Sequence, residues 1–440
     1  MKFSRSGIVA IIVVVGVAGC ALTIGGDHAT LPVSAGTGPT PVLPPEVHAL
    51  IPTAKVATVV GWKNGATPIA AAGLQVTAFA QGLEHPRWLY VLPNGDVLVA
   101  EASGPHFPQD FSGIKGAAAE YIMRKAGAIV DPVGRLVLLH PTPQGVQSSV
   151  FADGLASPIG MALVGNELFV ADTDALIKFP YQPGDTKASA PPVHVLDLPG
   201  GPIDHHWTKS LLASPEGRKL YVGVGSNSNV GDNGMAAEAG RAAIWEIDRV
   251  TLGHRVFAGG LRNPVGIAWE PTSGALWTSV NERDELGSDL VPDYMTHVQD
   301  GAFYGWPYSY YGQHVDNRVQ PPRPDLVASA IAPDYALGPH TASLGLTFSH
   351  PGVLTPAFAQ GAFVGQHGSW NRDPPSGYKV IFVPFAGGKP NGTPVDVLTG
   401  FLNAAGQAQG RPVGVATTAT GALLVADDVG NTIWQVTAKQ

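Results

Sequence analysis

Histidine, arginine and asparagine residues recur at the start of short apolar segments of this sequence. The residues at these positions are His85 and Arg87, Ser157, His206, Arg262 and Asn263, His340 and Thr341, and Arg411. An imidazole titrates close to neutral pH and can take a proton from a hydroxyl group. Guanidinium groups bind carboxylates through paired, charge-assisted hydrogen bonds. Brought together, such side chains would bind a polar, anionic ligand.

Two of these residues, Arg262 and Arg411, need partners if they are buried, because an unpaired buried charge is costly. No carboxylate recurs at the equivalent positions of the other segments. A ligand with several carboxylates would satisfy both arginines. The alternative is that each arginine pairs with a structural Asp or Glu nearby.

A short acidic stretch holds the candidate metal ligands. Asp284, Glu285, Asp289 and Asp293 fall within ten residues, with turns between them. Calcium prefers oxygen ligands of this kind. The stretch therefore predicts a calcium site, and the alternative is an ordinary solvated acidic loop.

The elements that must position these side chains are six copies of one pattern. A polar or small residue and a proline precede a short apolar strand, a turn and a second strand. In the first copy, Glu84-His85-Pro86-Arg87 precedes the strand and Pro93-Asn94-Gly95-Asp96 forms the turn; the last copy begins at Gly410-Arg411-Pro412. This repeat predicts an all-β fold, a six-bladed β-propeller with long inter-strand loops. Radial packing would then bring one position of every copy to the axis. The alternative is a sandwich with accidental similarity between its strands.

Composition agrees with many short strands and excludes one class of partner. The chain has 55 Gly and 39 Pro residues, a high content of turn formers. The formal net charge is −8 and the sequence has no cluster of Lys and Arg that could neutralise phosphates. We therefore expect no nucleic-acid partner.

The first twenty residues have the features of a bacterial export signal. Lys2 and Arg5 precede an apolar stretch from Gly7 to Val17, which is followed by Ala18-Gly19-Cys20. The ending resembles a lipobox, which predicts that Cys20 is lipidated and holds the protein to a membrane on the periplasmic or outer cell-surface side. The alternatives are an uncleaved anchor and a plain signal peptide. We predict a signal peptide at 1–20, a Pro/Ala/Gly-rich tether at 21–72 and the propeller at 73–440.

Cys20 is the only cysteine of the chain. A thiol nucleophile, a Cys-ligated metal in the mature domain and a covalently attached c-type haem are therefore excluded. A redox function would need a bound cofactor and a separate electron acceptor, a quinone or a cytochrome.

Three motifs in order resemble those of the soluble glucose dehydrogenase and sorbosone dehydrogenase family. They are Gly260-Leu261-Arg262-Asn263-Pro264-Val265-Gly266, Asn281-Glu282-Arg283-Asp284 and Tyr304-Gly305-Trp306-Pro307. The sorbosone dehydrogenase branch is more similar, through stretches at 282–294, 365–372 and 410–415. The resemblance covers most of residues 74–440. It implies a six-bladed propeller that binds pyrroloquinoline quinone (PQQ) and calcium and oxidises sugars or related aldehydes.

The resemblance also implies roles for individual residues. His206 matches the catalytic base, with His205 as the neighbouring alternative. Arg262, Asn263 and Arg411 match cofactor-binding residues, Glu282 stands at a cofactor-contacting position, and Arg372 or a neighbour stands where the glucose enzymes place a cofactor lysine. Apart from the resemblance, Glu238 is expected to orient His206, as a carboxylate does in other histidine-centred sites. His340 and Thr341 are expected to bind the cofactor because of their position in the repeat. The expected metal site comprises Arg283, Asp284, Asp289 and Asp293. The chain departs from the glucose enzymes in two places: Arg283-Asp284 replaces the Gly-Pro pair whose main-chain oxygens bind calcium, and Glu282 replaces a glutamine that contacts the cofactor.

From these observations we expect a PQQ- and calcium-dependent dehydrogenase acting on a sugar, a sugar alcohol or an aldose-type aldehyde. Two alternatives remain at this point. One is a calcium-dependent sugar lactonase on a similar propeller, and the other is a cofactor-free propeller that binds a glycan or a protein.

Overall fold

The structure, a computed structural model, describes residues 26–49, 53–104 and 113–439. Over these residues the chain forms six antiparallel sheets of four to six strands and one small two-stranded sheet. This arrangement confirms the predicted all-β, six-bladed propeller. Its blades correspond to the six sequence copies.

The strands follow one another around the ring in chain order. Three strands precede the first complete blade: β1 (Thr37–Gly38), β2 (Ile69–Ala70) and β3 (Leu74–Gln81). Blade 1 contains β4 (Pro86–Val91), β5 (Val97–Ala102), β6 (Gly134–Thr142) and β7 (Gly145–Asp153). Blade 2 contains β8 (Gly160–Val164), β9 (Glu167–Ala171), β10 (Ala175–Pro180) and β11 (Val193–Asp197). Blade 3 contains β12 (Lys209–Ala213), β13 (Lys219–Val224), β14 (Ala243–Asp248) and β15 (His254–Gly259).

The later blades carry longer insertions and take strands from the N-terminal region. Blade 4 contains β16 (Pro264–Trp269), β17 (Leu276–Val280), β18 (Pro292–His297), the hairpin β19 (Ser309–Tyr310) and β20 (His314–Val315), and β21 (Tyr335–Pro339). Blade 5 contains β22 (Ser343–Phe348), β23 (Gly361–Gln366), β24 (Lys379–Ala386), β25 (Lys389–Pro390) and β26 (Val395–Thr399). Blade 6 contains β27 (Pro412–Thr417), β28 (Leu423–Asp427) and β29 (Thr432–Ala438).

Helices are few in the described residues. They are α1 (Gly113–Lys125), α2 (Pro324–Ser329) and the 3₁₀ turns Val33–Gly36 and Pro356–Phe358. No helix in the described ranges is long and apolar enough to cross a membrane.

The innermost strand of each blade faces the axis. These strands are β4, β8, β12, β16, β22 and β27, and each packs against the next until β27 packs against β4. The second strand of a blade lies between neighbouring sheets, so β5 and β17 are buried along their whole length. An outermost strand such as β15 begins with three exposed residues. Burial is thus greatest in the second strands, while the innermost strand β4 and the outermost strand β15 are partly exposed.

Glycines allow neighbouring blades to approach each other closely at the innermost strands. A Cβ atom at Gly223, in the second strand of blade 3, would lie 2.3 Å from the carbonyl oxygen of Pro264 in the innermost strand of blade 4. A Cβ atom at Gly345 would lie 2.2 Å from the carbonyl oxygen of Val413. Only glycine fits at such a contact without movement of the backbone.

A small apolar cluster lies among the innermost strands of blades 4, 5 and 6. Val265, Leu344 and Val413, each the second residue of an innermost strand, form one buried cluster with Trp88 packed against it. The residues that precede them in sequence include Asn263, Thr341 and Arg411. The polar residues therefore lie directly beside an apolar floor.

The ring is closed by the two ends of the propeller domain. Strand β3 pairs in antiparallel fashion with β29, from Leu74 opposite Ala438 to Gln81 opposite Thr432. Blade 6 thus contains three strands from the C-terminal end and one from the N-terminal end.

The segment predicted as a tether, residues 21–72, lies against the propeller wherever it is described. Strand β1 adds to the edge of blade 4 and β2 to the edge of blade 5. Lys55 forms an ion pair with Asp373. Trp62 donates a hydrogen bond to Asp427 over 2.7 Å. These backbone and side-chain bonds hold residues 26–49 and 53–72 to the blades, so this part of the chain is not a free spacer.

Candidate functional site

The polar residues that the repeat predicts at the axis do lie at the entrances of the innermost strands. Three of them share an unusual backbone: φ is 53° at His85, 56° at Ser157 and 56° at His340. Non-glycine residues rarely adopt this left-handed conformation, and such positions cluster at functional sites. The same local bend therefore recurs in three blades.

His206 lies at the entrance of β12, and its hydrogen bonds define which ring nitrogen carries the proton. Its Nδ1 lies 3.1 Å from the carbonyl oxygen of Ser226 and 2.9 Å from Ser226 Oγ. Ser226 Oγ already donates its hydrogen to the carbonyl oxygen of Ser228 over 2.7 Å. Both groups near Nδ1 therefore accept, so Nδ1 carries the hydrogen and Nε2 keeps its lone pair.

The surroundings of His206 keep the ring neutral. Burial lowers the pKa of His206 well below its ordinary value of 6.5, and the positive charge of Arg262 lowers it further. Ser226 links the two residues, because its main-chain N–H donates to the carbonyl oxygen of Arg262 over 2.8 Å. At neutral pH His206 is thus an unprotonated base with a free Nε2.

Asn263 borders His206 across Gly225. A Cβ atom at Gly225 would lie 2.4 Å from His206 Cβ and 2.5 Å from Asn263 Oδ1. The Oδ1 atom of Asn263 is buried and has no hydrogen-bond partner among the residues that the structure describes. A buried amide oxygen without a partner is unusual, and a ligand with a donor group would satisfy it.

Arg262 is the centre of a second group, the Arg262 cluster, formed with Asn229, Glu282, Asp284 and His340. Arg262 Nε and Nη2 donate to the Asn229 carbonyl oxygen over 3.1 Å and to Asn229 Oδ1 over 3.0 Å. Its Nη1 donates to the Glu282 carbonyl oxygen over 2.6 Å, and Nη2 lies 3.5 Å from Asp284 Oδ2. The contact with Asp284 therefore supports in part the alternative that Arg262 pairs with a nearby Asp or Glu.

His340 is held between two acceptors in the Arg262 cluster. Its Nδ1 lies 3.2 Å from Asp284 Oδ1 and its Nε2 lies 2.9 Å from the carbonyl oxygen of Gly287. Burial lowers the pKa of His340, but the hydrogen bond and negative charge of Asp284, the hydrogen bond to Gly287 and the charge of Asp293 together raise the pKa overall. Burial would raise the pKa of Asp284, but His340 and Arg262 lower it overall.

Glu282 is buried, and burial raises its pKa to about 7. Its Oε2 accepts a hydrogen bond from the main-chain N–H of Arg283 over 2.9 Å. At neutral pH the side chain is protonated part of the time, and a protonated carboxyl group offers a donor, as a glutamine does. The negative charge expected next to an anionic ligand is correspondingly reduced.

A third group, the Asp428 cluster, consists of Asp428, His85, Arg87 and His367. Arg87 Nη1 lies 2.7 Å from Asp428 Oδ2, and His367 Nε2 lies 2.8 Å from the same oxygen. His85 Nε2 is 3.8 Å away. Burial lowers the pKa of His85 to about 4 and that of His367 to about 3, so both rings are neutral at pH 7. Arg87 Nε and Asp428 Oδ1 are buried without partners in the protein.

Arg411 adjoins the Asp428 cluster but has no carboxylate within ion-pair distance in the described residues. Nε and Nη2 donate to the carbonyl oxygens of His367 and Gly368 over 2.9 and 2.8 Å. Nη1 donates to the carbonyl oxygen of Ala126, after α1, over 3.3 Å. The guanidinium also lies 5.3 Å from the ring centre of Tyr378. Its hydrogen bonds are satisfied while its charge is not neutralised.

Glu238 does not contact His206, contrary to expectation. Its carboxylate accepts hydrogen bonds from the main-chain N–H groups of Asn227 and Ser228 over 2.7 and 3.1 Å. It therefore fixes the turn that carries Ser226, and the direct partner of His206 is Ser226.

Arg372 and Thr341 also have structural partners. Arg372 donates to the carbonyl oxygens of Pro374 and Leu31, both over 2.8 Å, although its Nε is buried without a partner. Thr341 donates to Asp293 over 3.0 Å. Neither residue is directed to His206 by these contacts.

The predicted calcium ligands do not converge. Asp289 accepts hydrogen bonds from the main-chain N–H groups of Thr30 and Leu31 over 2.7 and 3.1 Å. Asp293, whose pKa is raised by burial, accepts from the N–H groups of Glu282 and Ser343 over 2.9 and 2.6 Å. Within the described ranges, no three His, Cys, Asp or Glu side chains form a group that could hold a metal ion. The acidic stretch thus forms separate structural contacts.

Several site residues were not predicted from sequence. Ser226, Asn229 and Asp428 lie at or just beyond the ends of second strands, β13 and β28, and not before first strands. Proximity in a blade could have indicated them, because the second strand runs antiparallel to the first and ends at the same rim. The remaining prediction, lipidation at Cys20, lies outside the described residues.

The arrangement combines a neutral base with an excess of cationic groups at one end of a closed ring. His206 can accept a proton at Nε2. Among the described residues, Arg87 forms an ion pair with Asp428 and Arg262 with Asp284, while Arg411 has no carboxylate within ion-pair distance. Buried atoms of Arg87, Asn263, Arg372 and Asp428 that have no partner in the described part of the chain add both donors and acceptors. These features fit a polar, anionic ligand.

Comparison with known proteins places this site in context. A family model described as TrAA12-like matches residues 144–301 and 326–439, more than half of the chain. An uncharacterized protein of Borreliella burgdorferi is 29% identical over 241 residues, which cover 54% of this chain and 62% of that protein. The pyrroloquinoline quinone-dependent pyranose dehydrogenase of Coprinopsis cinerea is 27% identical over 223 residues, covering 41% of this chain and 30% of that enzyme. The chain thus spans less than two thirds of the length of these relatives.

Solved structures agree on the fold. The holo form of the pyranose dehydrogenase PQQ domain from Coprinopsis cinerea superposes with a TM-score of 0.68 at 23% sequence identity. The superposition covers 87% of this chain and 100% of that domain. At this identity the similarity shows the fold alone.

Proposed function

Because the chain belongs to the TrAA12-like family, we propose that it is a PQQ-dependent dehydrogenase of sugars, sugar alcohols or aldose-type aldehydes. The observation that carries the proposal is the state of His206: Nδ1 is held as a donor by Ser226, and Nε2 is a free base. Oxidation of an alcohol needs such a base to take the hydroxyl proton.

The residues present fit an anionic quinone. Arg87 Nε, in the Asp428 cluster, and Asn263 Oδ1, next to His206, are buried. Neither atom has a hydrogen-bond partner among the described residues. Arg262, Arg411 and Asn263 would hold the cofactor carboxylates and carbonyls, with Glu282 as a donor in its protonated form. The bound quinone would supply the two-electron acceptor for the hydride that leaves the substrate carbon.

His206 performs the proton transfer in this proposal. Nε2 takes the proton of the substrate hydroxyl, and the Nδ1–H bond to Ser226 keeps the ring in the required orientation. Arg262 lowers the pKa of His206, after burial, so the ring is unprotonated before each turnover. The imidazolium must then lose its proton to solvent before the next turnover. Reoxidation of a bound quinone would need a separate electron carrier.

We further propose that the protein is exported and attached to a membrane through Cys20, on the basis of the N-terminal sequence. The proposed function does not include calcium, because every predicted carboxylate ligand has other partners.

The test is to add PQQ to the purified full chain and measure cofactor absorbance and dye reduction with a panel of aldoses, sugar alcohols and aldehydes. We expect saturable binding of one quinone and dye reduction with at least one sugar. Absence of binding together with absence of dye reduction would overturn the proposal. Hydrolysis of sugar lactones without quinone would instead favour the lactonase.

A further inference from the structure

Buried charged residues flank His206 in sequence and pair with one another. They form the Asp204 triad, which consists of Asp204, Lys209 and Arg241, with side chains that are 0%, 0% and 4% exposed. Arg241 Nη1 lies 2.6 Å from Asp204 Oδ1, and Lys209 Nζ lies 3.4 Å from Asp204 Oδ2. Burial of charges is costly, and the proposed proton transfer uses none of these three groups.

The triad joins the two ends of the segment that carries the base. Asp204 lies two residues before His206, and Lys209 lies three residues after it. Lys209 Nζ also donates to the carbonyl oxygen of Trp207, the residue that follows His206, over 3.0 Å. The main chain on both sides of His206 is therefore held by buried, charge-assisted contacts.

Arg241 connects this segment to the turn at 238–241. Its Nη1 pairs with Asp204, and its Nη2 donates to the carbonyl oxygen of Gly200 over 2.6 Å. The main-chain N–H of Arg241 donates to the carbonyl oxygen of Glu238 over 3.0 Å, which closes the turn. One side chain of this turn thus holds the segment that carries the base.

Glu238, at the start of the same turn, holds the partner of the base. Its carboxylate accepts hydrogen bonds from the main-chain N–H groups of the two residues that follow Ser226. The turn at 238–241 is therefore attached to both sides of the contact between His206 and Ser226. A change in either attachment would alter the 2.9 Å distance between His206 Nδ1 and Ser226 Oγ.

We propose that Lys209 and Arg241 are positioning residues for the base. Through Asp204 they hold His206 in the orientation in which Nδ1 faces Ser226 and Nε2 is free. This inference rests on the proposed function, since it concerns the base of the proposed proton transfer. The triad has two cations for one carboxylate, so removal of Lys209 leaves a balanced pair of Asp204 and Arg241. Burial lowers the pKa of Lys209 to about 8, so this cation can be removed at the lower cost.

The first test observes His206 in the full chain without cofactor. NMR of ¹⁵N-labelled histidine reports the tautomer and the pKa of His206, whose signals are assigned by their loss in His206→Ala. In Lys209→Met we expect a smaller share of the Nδ1–H tautomer. We also expect the pKa of His206 to rise toward 6.5, because burial holds it below that value and a displaced ring is less buried. Wild-type tautomer and pKa in this variant would overturn the inference.

Lys219→Met is the matched control. Lys219 lies in the same blade, at the end of β13 away from Ser226, and pairs with Glu246, which keeps its ion pair with Arg255. This variant should keep the wild-type tautomer and pKa of His206. Changes as large as those in Lys209→Met would show that the effect is not specific to the triad.

The second test is kinetic and uses the chain with added PQQ. Lys209→Met should lower kcat by about tenfold to 100-fold, since a displaced base transfers protons poorly. The KM for the sugar and the dissociation constant of PQQ should stay within about threefold of wild type. Equal loss of quinone affinity would contradict a positioning role. If wild type binds no quinone, the proposed function is wrong, whereas the NMR result still decides how His206 is held.

A conservative variant separates the charge from the side chain. Lys209→Arg retains a cation that can donate to Asp204 and to the carbonyl oxygen of Trp207, so it should turn over faster than Lys209→Met. Equal turnover of the two variants would contradict the inference. Thermal unfolding and circular dichroism check that each variant is folded. If Lys209→Met is unfolded, Arg241→Lys keeps a cation beside Asp204 without the second contact, and wild-type tautomer and pKa of His206 there would overturn the inference.

Discussion

At the scale of single residues, the candidate site depends on which nitrogen of His206 carries the proton. The hydroxyl of Ser226 donates to Ser228, which leaves only acceptors facing Nδ1. One of these acceptors is the main-chain carbonyl oxygen of Ser226, so the backbone helps to fix the tautomer of the ring. Ser226 thus determines which nitrogen of His206 is available as the base.

His206→Ala should remove the base and leave the rest of the site in place. We expect turnover to fall by about 10²–10⁴-fold, with PQQ affinity within a few-fold of wild type, measured by dye reduction and by quinone titration. His205→Ala is the control and should retain turnover. Loss of quinone binding in His206→Ala, or an equal loss of turnover in His205→Ala, would show that the base is assigned incorrectly.

The repeat predicted the positions of His206, Arg262, Asn263 and Arg411 because one sequence position serves every blade. It did not predict the partners, since hydrogen bonds to Ser226 or Asn229 depend on loops that the repeat does not share. Glu238 illustrates this limit: its sequence neighbourhood indicated a role near His206, and only the structure shows that it binds the turn at Asn227. The calcium ligands failed to converge for the same reason.

At the scale of elements, glycines determine how closely the blades approach the axis. Gly223 and Gly345 face carbonyl oxygens of the next blade at distances that no side chain tolerates. The spacing between innermost strands, and therefore the position of the residues at their entrances, depends on these contacts.

Gly345→Ala should destabilise the propeller. The added methyl group would lie 2.2 Å from the carbonyl oxygen of Val413, and overpacking of this kind costs about 1–3 kcal/mol. Urea unfolding measures the change. Gly253→Ala, where the nearest atom is Thr251 Oγ1 at 3.4 Å, is the control and should stay within about 0.5 kcal/mol of wild type. Equal stability of the two variants would show that the blades can separate at little cost.

Strands within blades were predictable from sequence, because alternating apolar residues and Pro/Gly turns are local signals. Strands β1 and β2 were not, since each has only two residues and forms by pairing with an edge that is distant in sequence. β1 and β2 can therefore form only where the edges of blades 4 and 5 are available for pairing.

At the scale of the whole molecule, the N-terminal segment is part of the propeller. Residues from Asp27 to Trp62 contact blades 4, 5 and 6 in turn, through Ser288, Asp373 and Asp427. The Pro/Ala/Gly-rich composition of this segment, without sustained apolar alternation, predicted a tether. Asp27, Lys55 and Trp62 are, however, placed where the blades offer partners.

Trp62→Ala should measure how firmly the segment is attached. Trp62 packs edge-on against Trp434 and Phe401, with ring centres 5.3 and 5.6 Å away, and donates to the buried Asp427. Removal should lower the free energy of unfolding by about 2–4 kcal/mol, measured by urea titration. Lys63→Ala, an exposed neighbour, should change it by less than about 0.5 kcal/mol. A Trp62→Ala variant as stable as Lys63→Ala would mean that the segment behaves as a spacer.

The apolar cluster of Val265, Leu344 and Val413 limits where a ligand beside it could form polar bonds. These three side chains neither donate nor accept hydrogen bonds. The polar groups of such a ligand would therefore have to pair with residues that precede the innermost strands, such as Asn263 and Arg411. For the proposed dehydrogenase, this restricts the orientations that a bound ligand can adopt.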